Sequence, residues 1–318
     1  MARLYYGLFS SRFGREQSAF LAGVEKYHKD LTNPDGSLAL LRRNIHRLEK
    51  GILMKPRRLP FALNYIDETV DAFTSSKKDG VCLIEQEEFL WAQDVLNQYF
   101  EIHEEEAVEL AKEKYEDTSK ECDNVGSRIP YLRPLDRALS VSYDDLLELS
   151  KRRRSVRWFT EKKVERELLD KALTAAAQSP SACNRQPFRF HFFDDPELVR
   201  EIAKIPMGTA GYSDQIPVIA AVIGQQRNYF AERDRHVIYI DSSLATMSFL
   251  YALETLGLSS CCINWPDVEG RERKLQNLIK FKPDERVVML LAIGYPDPSG
   301  MVAYSAKKGL EELRQFNL

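Results

Sequence analysis

The sequence predicts a chain in two parts: an all-α N-terminal domain over residues 1–120, and from residue 142 a domain that mixes helices with strands. Three observations predict it. Through the first 120 residues, apolar side chains recur at spacings of three and four, and no β-type alternation competes with them. Residues 121–141 hold Gly126, Pro130 and Pro134 but no sustained period, and read as a linker. Beyond it, short apolar runs alternate with amphipathic helical stretches. A chain of 318 residues is long enough for two cores.

Within the first part, Gly36-Ser37 offers a helix start with Ser37 as N-cap. Leu38, Leu41, Ile45, Leu48 and Ile52 then form one stripe, which Pro56 ends. Phe61, Ile66, Val70 and Phe73 predict a second helix, closed by Lys77-Lys78-Asp79-Gly80. Phe89, Ala92, Leu96, Tyr99 and His103 share a face of a long third helix that continues through Val108 and Ala111. A small helical bundle buries these stripes.

In the second part, Ser142 with Asp145 three residues on resembles a capping box and opens a helix to about Lys151. Val164 to Gln178 is Ala- and Leu-rich and reads as a helix. Phe188 to Phe193 reads as a strand, Pro196 to Lys204 as a helix, and Pro217 to Gly224 as a strand buried on both faces. A long apolar helix follows from Asp241 or Ser242 to Leu256. Then come a strand at Ser260 to Trp265, a helix at Val268 to Ile279, a buried strand at Arg286 to Gly294 and a last helix near Leu310.

Composition excludes several classes. A net charge of −3 gives no broad attraction to nucleic acid or anionic lipid. No run reaches the ~20 apolar residues of a membrane helix, and the N-terminus lacks the marks of a signal peptide. Five scattered cysteines, with no C-x-x-C, fit a reducing compartment, so a cytoplasmic location is expected without structural zinc. No H-x-x-x-H or H-E-x-x-H places a metal.

Four segments concentrate chemistry. Arg153-Arg154-Ser155-Val156-Arg157 sets guanidinium forks beside a hydroxyl, a composition that suits oxyanions; basic residues at a helix C-terminus also complement its dipole. Ser179 to Phe190 is a Pro-fixed loop whose Ser181, Asn184 and Gln186 could bond a heterocycle edge. Gly257 to Ile263 ends a helix on glycine and opens a strand on small residues. Ala292-Ile293-Gly294-Tyr295-Pro296 runs out into an extension ending in Lys307-Lys308 before an acidic helix start.

In this order and at these spacings, the segments resemble the nitroreductase family of flavin enzymes over residues 143–318. The family's R-x-S-x-R/K, P-S-x-x-N-x-Q-P-W, G-L-G-x-x-W-I, A-I-G-Y-P and S-x-R signatures stand here as Arg153 to Arg157, Pro180 to Phe188, Gly257 to Ile263, Ala292 to Pro296 and Ser305 to Lys307. The resemblance implies an α+β fold, a mainly antiparallel sheet flanked by helices, for residues 142–318. It also implies a homodimer with FMN at the interface. Arg153, Arg154, Ser155 and Arg157 would line one subunit's flavin site, with Arg153, Lys307 and neighbouring Lys308 near the phosphate and Arg157 near the pyrimidine edge. Pro180, Ser181, Ala182, Asn184 and Gln186 would reach in from the partner, and backbone groups at Ser259 and Ser260 would face flavin N5. Phe188 replaces the usual tryptophan, Ser259 the second glycine, Cys262 a tryptophan and Lys307 an arginine.

The expected activity is electron transfer from NAD(P)H through FMN to a small acceptor, aromatic or anionic, in two steps. No protein acid or base is required, since the cofactor carries the redox chemistry. The Arg227 to His236 stretch is expected as the wall opposite the flavin, or as a plain surface loop. The alternatives are a flavin-binding interaction or sensory protein, and a flavin-dependent dehydrogenase or flavin-destroying enzyme of the same superfamily. In the helical part, Arg42, Arg43, Arg47, Lys50, Lys55, Arg57 and Arg58 oppose an acidic third helix. The two faces are solvated, pair with each other, or dock an anionic ligand or partner. The Arg42, His46 and Glu49 face is expected to pack over the flavin domain near the substrate entrance.

Overall fold

A computed structural model describes residues 2–31, 38–78, 81–119 and 128–317. In chain order the first part contains α1 (Ala2–Leu4), a π-helical stretch (Tyr5–Phe9), α2 (Gly14–Asp30), α3 (Ala39–Ile52), α4 (Ile66–Ser75), β1 (Lys77–Lys78), β2 (Val81–Cys82), α5 (Gln86–Glu101) and α6 (Glu106–Ser119). The α3 stripe is buried as its spacing predicts: Leu41, Ile45 and Leu48 are fully enclosed with Val70, Phe73, Leu96 and Tyr99. Ser37, expected as the cap of α3, lies outside the described residues, as do Asp79 and Gly80.

Three expectations here are corrected. Phe61 precedes α4 rather than lying on it, and packs edge-on against Tyr99. The closing lysines pair as a two-residue antiparallel ladder, β1 with β2, a hairpin too short to show as alternation. The expected long third helix is two helices, α5 and α6, broken at 102–105. His103 explains the break. Its Nδ1–H donates to the Tyr99 carbonyl at 2.9 Å, capping the end of α5, while Nε2 accepts the Phe61 N–H at 3.4 Å. This histidine is buried and fully used as a helix stop.

The second part contains α7 (Tyr143–Arg152), α8 (Arg166–Ala176), β3 (Phe188–Phe193), α9 (Pro196–Ala203), β4 (Val218–Gln225), α10 (Val237–Thr255), β5 (Ser259–Asn264), α11 (Glu269–Leu278), β6 (Glu285–Gly294) and α12 (Leu310–Leu313). The Ser142 capping box is formed, with Asp145 N–H on Ser142 Oγ and the Asp145 carboxylate on Ser142 N–H. The strands make one antiparallel sheet in the order β3-β4-β6-β5, so the class is α+β.

All eight residues of β4 are buried, and its two faces serve two cores. Val218, Ala220 and Val222 meet Phe249, Leu250 and Leu253 of α10 and Ala172 of α8. Ile219, Ala221 and Ile223 meet Val199 and Ile202 of α9 and Leu275 of α11. A register shift against β6 after Val222 puts Val287 and Leu290 on the same face. α10 starts at Val237, one turn before the expected Asp241; the aspartate is inside the helix and bonds elsewhere.

α2 packs against the 226–228 turn of the second part. A Cβ added at Gly23 would lie 2.6 Å from Gln226 Cβ, so only glycine permits this approach. Arg15 at the same helix pairs with Glu272 at 3.1 Å and with Asp267.

Candidate functional site

The Arg153–Arg157 segment leaves the end of α7, where the Arg153 N–H closes the helix on the Leu149 carbonyl. It then runs beside β5. Ser155 bridges Ser260 in parallel, and the Val156 N–H donates to the Ser260 carbonyl at 3.0 Å. The first and third of the chemistry-bearing segments are thereby brought together. Arg153 and Arg154 are half-buried, Ser155 and Arg157 exposed, and none of the three guanidiniums makes an ion pair among the described residues.

Glu254 sits behind this segment and accepts the Ser259 hydroxyl at 3.2 Å. Burial pushes its carboxyl up, against the Ser259 hydrogen bond and the charges of Arg152 and Arg153. Arg157 donates to the Ser155 carbonyl at 3.3 Å and lies 5.7 Å from the ring of Tyr212. Burial and neighbouring Cys261 push the Tyr212 phenol up to about 12, so it holds its proton at neutral pH. Ser259 and Ser260 are buried within the β5–β6 ladder.

The Pro180–Phe188 loop is held by its own polar groups. The Asn184 N–H reaches the Ser181 carbonyl at 3.0 Å, the Gln186 N–H reaches Ser181 Oγ at 3.0 Å, and the Gln186 side-chain amide reaches Asn184 Oδ1 at 3.0 Å. Cys183, Asn184 and Gln186 have φ of 53°, 51° and 48°, a left-handed backbone that costs free energy in non-glycine residues. Two groups outside the loop brace it. The Ala182 N–H donates to Asp241 Oδ2 at 3.0 Å, and the Asn184 carbonyl accepts Arg42 Nε at 3.0 Å. Pro180 is exposed, and Ala182 opens a single 3-10 turn.

Asp241 also accepts the Tyr229 hydroxyl at 2.8 Å. Burial pushes its carboxyl up, with Ala182, Tyr229 and Arg185 opposing. Burial likewise raises the Tyr229 phenol, aided by the Asp241 charge. The sequence marks Asp241 as a start of the long helix and Tyr229 as part of the 227–236 stretch, and their hydrogen bond links the two. An aspartate within a strongly apolar helix was the available signal, since such a residue must find donors.

The Arg227 to His236 stretch is corrected in part. Arg227 is buried and spent on Asp284, at 2.7 Å, and on Glu285, so it is a packing element and not a free cation on a pocket wall. Lys307 and Lys308 lie on an exposed arm, where Lys308 pairs with Glu312 at 3.5 Å. Among the described residues, no hydrogen bond or ion pair joins the 180–188 loop to the Arg153–Ser260 group, or either lysine to Arg153. No group of three or more His, Cys, Asp or Glu could hold a metal among the described residues. No described helix is long and apolar enough to cross a membrane.

Similarity to known proteins follows the same outline. Iodotyrosine deiodinase 1 of Pongo abelii is 24% identical over 267 residues, covering 74% of this chain and 89% of that protein. A Methanothermobacter thermautotrophicus protein bearing the name NADH dehydrogenase/NAD(P)H nitroreductase is 27% identical over 157 residues, 49% of this chain and 80% of its own. An FMN-dependent nitroreductase from Clostridium difficile superimposes with a TM-score of 0.47 at 22% identity, over 54% of this chain and 99% of its own. The nitroreductase family model matches residues 150–215 and 208–295, the span that carries the Arg153 segment, the 180–188 loop and the whole four-stranded sheet, and over that span the chain is similar to the nitroreductase family.

Proposed function

We propose that the chain is an FMN-dependent oxidoreductase, with residues 142–318 as the flavin-binding unit, 1–120 as a helical domain and 121–141 between them. The observation that carries this reading is the Arg153–Arg157 segment. Its three guanidiniums make no ion pair among the described residues, and Val156 pins it to Ser260. Such a donor set fits a phosphate and the oxygen-rich edge of a flavin. Arg153 would hold the phosphate with Lys307 and Lys308, Arg154 and Ser155 would line the site, and Arg157 would sit at the pyrimidine edge. Held by these residues, FMN would supply the redox chemistry between NAD(P)H and the acceptor.

The site would be completed by a second copy. The 180–188 loop, with Pro180, Ser181, Ala182, Asn184 and Gln186, makes no polar link to the Arg153 segment of its own chain, as expected if it serves a partner. α7 buries none of its residues, although Leu146 and Tyr143 are apolar, and Ile240 and Leu244 are exposed on neighbouring α10. An apolar surface of this kind calls for a cover. A homodimer with FMN at the interface supplies one.

A second reading concerns the acceptor. The similarity to iodotyrosine deiodinase extends over 74% of the chain, more than residues 142–318 hold, so it reaches into the helical half. This favours a halogenated aromatic acceptor over a nitroaromatic. The experiment is the absorption spectrum and light scattering of the purified chain, then anaerobic reduction by NADH or NADPH. Release of iodide from iodotyrosine is compared with turnover of a quinone and a nitroarene. A colourless protein that takes up no FMN overturns the proposal. A monomer with full flavin occupancy overturns the dimeric site.

A further inference from the structure

A cleft of about 240 Å³ separates α3 and the start of α5 from the 185–189 segment. Five cations line it, Arg42, Arg185, Arg189, Arg227 and Lys282, against two carboxylates, Glu85 and Glu88. The ion pairs sort them. Arg227 belongs to Asp284 and Glu285, and Arg42 to Glu88 at 2.8 Å. Arg189 stands exposed at the rim and makes no ion pair among the described residues.

Arg185 is different from all of these. It is only 7% exposed, yet no hydrogen bond reaches its side chain among the described residues, and its Nε is enclosed without an acceptor. Its guanidinium lies 4.9 Å from the Tyr229 ring centre, a stacking contact that leaves its edge donors unused. Asp241, whose charge it feels, already receives the Ala182 N–H and the Tyr229 hydroxyl. A buried guanidinium without a counter-ion is strongly unfavourable, and planar forks of this kind recognise oxyanions.

We propose that this cleft binds a small tetrahedral oxyanion, a phosphate or the phosphate of a small ester, with Arg185 as the buried fork and Arg189 closing the rim. The volume suits it. It equals roughly eight waters at ~30 Å³ each, enough for a phosphate with part of its hydration shell. It lies below the roughly 300 Å³ at which sites for drug-sized ligands begin, which excludes a dinucleotide. The site is separate from the proposed flavin phosphate site at Arg153. It touches the flavin loop from behind, because Arg185 lies between Asn184 and Gln186 and because Arg42 both lines the cleft and holds the Asn184 carbonyl. Anion binding would therefore brace the left-handed turn of that loop.

The test is isothermal titration of the full chain, saturated with FMN, with inorganic phosphate at constant ionic strength set by chloride. Saturable binding at millimolar phosphate or below is expected. Arg185→Gln should weaken it about tenfold or more, and Arg189→Gln severalfold. Arg189 is exposed, so its variant keeps the test valid should Arg185→Gln fail to fold, and Arg185→Lys gives a second folded probe that keeps charge without the fork. Glycerol phosphate is titrated in parallel. Tighter binding of the ester points to an ester as the ligand, tighter binding of phosphate to the free ion, and either supports the site. Lack of saturable binding to the native chain overturns the proposal. So does phosphate binding that survives in all three cleft variants but disappears in Arg153→Gln, which would place the anion in the flavin site.

Discussion

Arg42 on α3 donates through Nε to the Asn184 carbonyl at 3.0 Å while its Nη1 holds Glu88 on α5 at 2.8 Å. One guanidinium thus ties the helical half to a left-handed residue of the candidate site. Glu88 is almost fully buried and also accepts the Leu38 N–H. Removing Arg42 would take a buried charged partner from that carboxylate and the side-chain donor from the Asn184 carbonyl. Arg42→Ala is expected to cost about 3 kcal/mol in chemical denaturation. FMN affinity, read by flavin fluorescence, should fall severalfold, and Arg42→Lys should rescue little because a compact ammonium lacks the fork that reaches the two acceptors from separate nitrogens. Unchanged flavin affinity in a folded Arg42→Ala protein would detach the helical half from the site.

Gly23 offers a test of the contact between α2 and the 226–228 turn. A methyl group there meets backbone and Cβ atoms at 2.6 to 3.0 Å, positions with no flexible end to yield. Gly23→Ala should therefore destabilise the chain by about 1–3 kcal/mol despite its better helix propensity. Gly14→Ala in the same helix has nothing within 4 Å and serves as the control, expected neutral or slightly stabilising. Equal denaturant midpoints for the two variants would show that α2 stands clear of the turn in solution.

Asp241 predicts a pH effect. Burial holds its folded pKa above the ordinary aspartate value, so the folded chain keeps this proton more tightly than the unfolded one. Its contribution is full below about pH 4 and is lost as pH rises through the raised folded value. Asp241→Asn removes the titration while keeping an oxygen for Ala182 and Tyr229. The native chain should lose stability relative to the variant as pH rises from about 4 towards 7 in urea titrations. Parallel curves for the two proteins would mean that Asp241 titrates normally.

Cys183 gives a strain measurement. Its φ of 53° is left-handed in a non-glycine residue, and its thiol makes no disulfide. Cys183→Gly should leave stability unchanged or raise it by up to about 1 kcal/mol, because relief of strain competes with added unfolded-state entropy. A loss of more than 1 kcal/mol by thermal unfolding would assign the side chain a packing role that outweighs the backbone cost.

Much of the fold was readable because its signals are local. The stripe at Leu41, Ile45 and Leu48, the Ser142 capping box and the apolar run of β4 are each short-range patterns that folding preserves. The four segments around Arg153, Ser181, Ser259 and Ala292 were visible as compositions, and Ser155 meeting Ser260 gives two of them a common place. What could not be read depends on partners distant in sequence. His103 looked like one more residue of an apolar face; its role as a helix stop needs the Phe61 N–H, 42 residues away. Arg227 looked available until Asp284 and Glu285, more than 50 residues on, took it. The basic stripe of α3 left three readings open, and the structure divides it: Arg42 pairs with Glu88 and Arg43 with Glu68, while Arg47 stacks on Tyr65 at 3.6 Å.

The seat of α2 against the 226–228 turn has a consequence for the birth of the chain. α2 leaves the ribosome before the turn it packs on, which is synthesised about 200 residues later, a wait of roughly 10 to 40 s at ordinary elongation rates. The α3–α6 bundle can close during that interval around Leu41, Phe73 and Leu96, all of which are its own. The face of α2 that carries Ala19, Phe20 and Gly23 has no such early shelter. That face waits for the turn, and its docking joins the helical part to the sheet-bearing part.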